Sequence, residues 1–295
     1  MEMHQLRYVI AIARVGNFSR AAEQCHVAQP SLSQQVRKLE DELGERLFER
    51  KKREATLTPH GEAFLPRAIR ILEEVEAARR EANDAKNLLR GAVTIGVLPT
   101  IAPYLLPPVM GTFMKRFPGL EIIVSEDTTE KLLQKLAGFE IDFAVVSLPI
   151  QDPRVEMKRL FSEELLLALP PQHRLTRRKV VAAEDLESEL VIVMKEGHCL
   201  ADQVLGFCGR HDLHTAISFR SSQLETIRAF VRAGMGISLI PAMAIRKGER
   251  NSPVYRKLKP ALRREIVALW PRRHALSRAA SELLKTIETH VSRNF

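Results

Sequence analysis

Two cysteines, Cys199 and Cys208, stand nine residues apart in the stretch Gly197-His198-Cys199-Leu200-Ala201-Asp202-Gln203-Val204-Leu205-Gly206-Phe207-Cys208. Thiols so placed can be small packing residues, as most cysteines are, or they can pair reversibly. If one helix joins them, a rise of ~1.5 Å per residue separates their Cα atoms by ~13.5 Å. A disulfide holds Cα atoms about 4.4–6.8 Å apart. Pairing would then require the helix to unwind, which makes the bond a two-state switch set by oxidation. Cys199 has the stronger claim to be the nucleophile. It follows a glycine near an expected helix start, where a thiolate is stabilised, and His198 beside it can orient or supply a proton. Spacing alone leaves both readings open. The third cysteine, Cys25, lies in an Ala-rich helical stretch and reads as a packing residue.

The elements around this segment alternate strand and helix. Apolar β-branched runs at 92–97, 120–124, 141–146, 165–169, 190–194, 237–240 and 265–270 read as buried strands. Helical patterns separate them, and an amphipathic helix over 276–291 closes the chain. The pattern predicts an α/β fold with parallel sheets in two lobes around a cleft. Lobe I is expected over 91–163 plus 269–295, and lobe II over 164–268.

Residues 1–58 differ in texture, with short helical signals one after another. Ser19 is expected to cap one helix, with Phe18 as a staple residue. Pro30 suits the first turn of the next, about Gln29 to Leu43, which Gly44 closes. Leu32, Val36 and Leu39 mark its buried side, leaving Gln29, Ser31, Ser33, Gln34 and Arg37 on other faces. Gln pairs with adenine, and Arg with guanine or phosphate. The run Arg50-Lys51-Lys52-Arg53 suits phosphates at the tip of a two-stranded wing. From 59 to 90, Phe64, Ala68, Ile71, Val75, Ala78, Ala82, Ala85 and Leu89 repeat at alternating steps of four and three. That 3.5-residue period predicts a dimerising coiled-coil linker.

The chain has 295 residues and a net charge of +9, of which residues 1–90 carry only +2. An anionic partner is plausible, but global charge does not locate it. The longest apolar runs fall well short of the ~20 residues that cross a bilayer. No signal peptide is evident, so a cytoplasmic protein is expected. No metal-ligand spacing, phosphate-binding loop or serine triad is present, so neither cofactor nor metal is expected.

The string from Phe18 to Arg50, followed by Thr56-Leu57-Thr58-Pro59-His60-Gly61, resembles the signature of LysR-type regulators. The matching residues include Ala21-Ala22, Gln29-Pro30-Ser31-Leu32-Ser33, Leu39-Glu40, Leu43-Gly44 and Leu47-Phe48. The resemblance implies an α+β multidomain chain: an N-terminal winged helix-turn-helix (1–58), a long linker helix (59–90) and a periplasmic-binding-protein-like α/β regulatory domain of two lobes (91–295). It implies promoter DNA and RNA polymerase as partners, a homodimer or homotetramer, no membrane and no enzymatic turnover. Ser19, Gln29, Pro30, Ser31, Ser33, Gln34, Arg37, Arg50, Lys51 and Lys52 become the DNA-binding set.

The segment 197–208, with Leu98-Pro99-Thr100-Ile101-Ala102-Pro103-Tyr104 and Glu126-Asp127-Thr128-Thr129, is similar to the peroxide-sensing (OxyR) branch of that family. The resemblance implies hydrogen peroxide as the signal, Cys199 as peroxidatic thiol, Cys208 as resolving thiol, and Thr100, Thr129, His198 and Asp202 around the peroxide. That branch also implies an Arg after the aromatic residue of the last strand. Here Pro271 follows Trp270, with Arg272 and Arg273 next. Two rivals remain. One is a regulator holding a small organic ligand in its cleft near Ser221-Ser222-Gln223, and the other is a thiol peroxidase.

Overall fold

The structure is a computed structural model that describes all residues except 51–53, 85–90, 215, 246–247, 250–251, 273 and 295. It divides into two compact units, Met1–Lys86 and Asn87–Phe295.

The first unit runs α1 (Met3–Val15), α2 (Phe18–Gln24), α3 (Gln29–Leu43), β1 (Phe48–Arg50), β2 (Ala55–Leu57) and α4 (Pro59–Asp84). Its core is Leu6, Val9 and Ile12 from α1, Ala21 and Ala22 from α2, Leu32, Val36 and Leu39 from α3, and Phe48 from the wing. The two alanines let α2 approach its neighbours closely. Asn17, not Ser19, caps α2: its Oδ1 accepts from Ser19 N and Arg20 N at 2.9 and 3.0 Å. The helix starts at Phe18, two residues earlier than a Ser19 cap implies, so the cap moves back with it. Gly44 ends α3 in the left-handed region, at φ 75°. The buried Glu40 carboxylate accepts from Leu47 N and Phe48 N, which pins the wing's first strand to α3. At Gly61 a Cβ would sit 2.1 Å from Leu47 O, so only glycine lets α4 pass the wing.

The expected coiled-coil seam is only partly available to a partner. Ala68 is fully buried in this unit's own core, and Phe64 and Ile71 pack against it. A 3.5-residue period fits the first turns of α4 equally well when they lie on their own domain. Of the later seam positions, Ala85 and Leu89 lie outside the described residues.

The second unit runs β3 (Gly91–Val97), α5 (Ala102–Arg116), β4 (Leu120–Glu126), α6 (Thr129–Ala137), β5 (Phe143–Ser147), β6 (Val155–Leu169), β7 (Val180–Ala182), β8 (Leu190–Met194), α7 (Cys199–Arg210), β9 (Ala216–Ser221), α8 (Leu224–Arg232), β10 (Ser238–Pro241), β11 (Val254–Lys259), β12 (Leu262–Pro271) and α9 (Arg278–Asn294). Among the described residues, the main sheet has the order β4-β3-β5-β12-β6-β11-β7, with β10 also on β6. The expectation of parallel sheets needs correction. β3 pairs in parallel with β4 and β5, but β12 runs antiparallel to both β5 and β6. The long strands β6 and β12 each contribute to both hydrophobic cores of the unit. Phe161 and Ile266 belong to one, Leu165 and Leu262 to the other. Two strands that cross together between cores pair antiparallel, and their apolar runs do not reveal direction.

Candidate functional site

Helix α7 begins at Cys199, after Gly197 at φ 87° has turned the chain out of β8. Cys199 and Cys208 share this one helix. Nine residues at ~100° each put them about half a turn apart around its axis, on opposite faces. Cys199 is half-buried and packs on the first core, while Cys208 is buried.

The groups around Cys199 come from four elements. Arg264 on β12, 1% exposed, donates from Nη1 to Thr100 Oγ1 (2.9 Å) and from Nη2 to Thr100 O (3.1 Å). Its Nε donates to Glu163 Oε1 on β6 at 2.7 Å. Thr129 opens α6, and its hydroxyl oxygen is buried without a hydrogen-bond partner of proper geometry, yet lies close enough to favour the thiolate. Gln203, one turn along α7 from Cys199, donates to Ser147 Oγ (2.8 Å) and Leu148 O (3.0 Å), and its Oε1 is likewise buried and partnerless. Burial pushes the Cys199 thiol up, while the Arg264 charge, the Thr129 hydroxyl and the Leu200 N–H pull it down. Burial also holds the His198 imidazole below its usual value, with Asp127 opposing and Lys195 assisting. His198 is therefore largely neutral at neutral pH and able to accept a proton.

Thr100, Thr129, His198 and Cys199 are thus brought together. Asp202 is exposed, and its charge raises the thiol rather than supporting the thiolate. Arg272 is exposed, with its N–H bonded to Arg154 O at 2.8 Å, and Arg273 lies outside the described residues. Arg264 supplies the cation at the thiol instead. The apolar run that marks the last strand in the sequence begins at Glu265, and the strand itself extends back to Leu262, so Arg264 falls outside the run that gives the strand away. The available signal was a reciprocal acid pair, Glu163-Glu164, in the strand that faces Arg263-Arg264.

Among the described residues, no group of three or more His, Cys, Asp or Glu could hold a metal, and no helix is long and apolar enough to cross a membrane. At the start of α8, Ser221 Oγ is taken up by the Gln223 backbone, and Glu225 adds negative charge to the first turn. That end of the helix is poorly suited to an anion.

In the first unit, α3 exposes Gln29, Pro30, Ser31, Gln34 and Arg37, with Ser33 half-buried. Ser19 is exposed at the start of α2. The backbone of Arg50 ends β1, and Lys51 and Lys52 lie outside the described residues. Cys25 is half-buried against the unit's core, and burial raises its thiol.

Residues 3–62 match the model of the bacterial regulatory helix-turn-helix protein, lysR family, and residues 86–292 match the LysR substrate binding domain. The chain is 36% identical to a hydrogen peroxide-inducible genes activator from Pectobacterium carotovorum subsp. carotovorum, over 99% of this chain and 97% of that protein. It is 35% identical to the DNA-binding transcriptional dual regulator OxyR of Escherichia coli (strain K12), over 100% and 97%. A full-length OxyR variant from Pseudomonas aeruginosa superposes with a TM-score of 0.75 at 33% identity, covering 99% of this chain and 94% of that one. With both halves matched and α3 exposing a polar face above a packed core, the chain belongs to the LysR family of helix-turn-helix transcriptional regulators.

Proposed function

We propose that this regulator senses hydrogen peroxide at Cys199 and responds through a reversible Cys199–Cys208 disulfide that changes its action on promoter DNA. The observation that carries this reading is a thiol at a helix start with the buried Thr129 hydroxyl beside it and, one turn along the helix, a buried acceptor, Gln203 Oε1, that has no partner among the described residues. Hydrogen peroxide offers two O–H donors, and buried acceptors are costly to leave unmatched. The names of the relatives point the same way.

The Cys199 proton passes to a neighbouring base such as His198. The thiolate attacks one peroxide oxygen, an S–O bond forms, the O–O bond breaks, and hydroxide leaves as water once protonated. Arg264, holding Thr100, stabilises the negative charge during transfer. The sulfenic acid is then attacked by the Cys208 thiol, forming the S–S bond and releasing water. Because α7 holds the two thiols on opposite faces and ~13.5 Å apart along its axis, the second step requires α7 to unwind. Reduction by a cellular dithiol restores the helix, so the protein reports rather than turns over.

On the DNA side, Gln29, Ser31, Ser33, Gln34 and Arg37 meet base edges and phosphates in the major groove. Pro30 fixes the helix start, Ser19 approaches the backbone, and Arg50, Lys51 and Lys52 on the wing contact phosphates. The working form is a homodimer or homotetramer in the cytoplasm that engages RNA polymerase. The division into reading head (1–58), linker (59–90) and regulatory domain (91–295) belongs to the same reading.

The test uses full-length protein and a DNA site recovered by selection. Peroxide should change the footprint of the native protein and leave that of Cys199→Ser unchanged. A Cys199→Ser protein that still answers peroxide refutes the redox reading.

A further inference from the structure

The buried Arg264 is held by a residue to which nothing above gives a role. Arg264 and Glu163 are direct cross-strand partners in the β12–β6 ladder, so the register itself brings their side chains to one face. The neighbouring pair, Arg263 and Glu164, points to the other face, where Arg263 bonds Ser162. A slip of one residue would exchange a buried ion pair for an outward one. Glu163 is 3% exposed, and its two oxygens do different things. Oε1 takes the Arg264 Nε and lies 2.6 Å from Nη2, while Oε2 accepts from Met243 N at 3.0 Å. Met243 lies in the short turn after β10, and its Sδ lies 3.8 Å from Arg264 Nη2. The guanidinium is thus gripped on one side by Glu163 and Met243, and its other side is turned to Thr100.

We infer that Glu163 is a positioning residue for the Cys199 thiol, fixing the Arg264 guanidinium in place and setting how much of its charge acts on the sulfur. The inference rests on the reading of Cys199 as the reactive thiol. Two consequences of opposite sign follow. The Glu163 charge offsets that of Arg264, so Glu163→Gln, which keeps an oxygen for Arg264 Nε and gives up the bond from Met243 N, strengthens the pull on the thiolate. Removing the side chain releases Arg264, so the pull is lost. The other groups facing Cys199 are Thr129 from α6 and the Leu200 N–H and Asp202 from α7, with His198 adjacent and itself facing Asp127 and Lys195. None of them bonds Glu163, so they stay constant across the variants.

The experiment measures the pH dependence of Cys199 alkylation by iodoacetamide in the full reduced chain, with the site read by peptide mass. Glu163→Gln should move the midpoint down, giving about tenfold faster alkylation below it for a shift of one pH unit. Glu163→Ala should move it up by a similar factor. Midpoints that stay put, or that move in the same direction in both variants, overturn the inference. If Glu163→Ala does not fold, Glu163→Asp replaces it: the shortened side chain must loosen Arg264 and move the midpoint up, and an unmoved midpoint refutes the role. No peroxide enters the assay. A Cys199 inert to peroxide with these shifts intact would sink the functional reading and leave the inference standing.

Discussion

Helix α3 exposes Gln29, Ser31, Gln34 and Arg37 above the buried Leu32, Val36 and Leu39, so its working face is complete once the helix has folded. Helix α7 carries its two thiols on opposite faces, Cys199 against the first core and Cys208 buried on the other side of the helix, so no single surface contains both. The first helix works by staying folded. The second, in the reading proposed here, works by coming apart. Packing differs accordingly. Glu40 locks α3 to the wing through two backbone N–H groups, whereas the first turns of α7 carry Gln203, whose buried Oε1 has no partner among the described residues.

That contrast can be broken in several places. The largest effect is expected at the switch, where Cys199→Ser should slow peroxide-driven oxidation of the chain at least about a thousandfold, as loss of a nucleophile does. DNA affinity of the reduced protein should stay the same, and stopped-flow oxidation with a parallel gel-shift assay checks both halves. Next comes pH. Because burial holds the Cys199 thiol above its ordinary value, the thiolate is the minor form at neutral pH. Its reaction with peroxide should therefore rise about tenfold per pH unit from mildly acidic towards alkaline conditions, and DNA binding should not follow that slope. A rate flat across that range would mean the reactive thiol is already ionised.

On the reading head, Arg37→Ala should cost about 1–3 kcal/mol of binding to a selected site. Its salt dependence should become shallower, and the peroxide rate should not move. A salt slope unchanged by the substitution would remove Arg37 from the phosphate and base contacts. The smallest effect is expected at the α2 cap: Asn17→Ala should lower the stability of the first unit by about 1 kcal/mol, visible as a shift in its thermal unfolding. If peroxide oxidation of Cys199 changed with it, the two units would be more tightly coupled than the account allows.

The reading head was legible because local signals decide it. Pro30 fits only the first turn of α3, Gly44 adopts the positive φ that ends it, and the Leu32–Val36–Leu39 stripe selects the buried face. The cap of α2 was misplaced because Asn17 and Ser19 are both good caps and differ only in where the helix starts. The polar part of the redox site was harder to see. Arg264 meets Glu163 across 101 residues of sequence, and that meeting depends on register and on antiparallel pairing of β6 with β12, which apolar runs do not encode. A charged pair inside a strand reads as solvent-facing until its partner strand is known. The seam of α4 shows that a local period does not say what covers it: at Ala68 it is satisfied by the unit's own core.

The most direct test of the switch is a single titration. The full-length protein is reduced without oxygen, given one equivalent of hydrogen peroxide, quenched by alkylation within seconds and mapped by peptide mass. The account predicts a Cys199–Cys208 disulfide with Cys25 still alkylated. Free, fully alkylated thiols at 199 and 208 would contradict it.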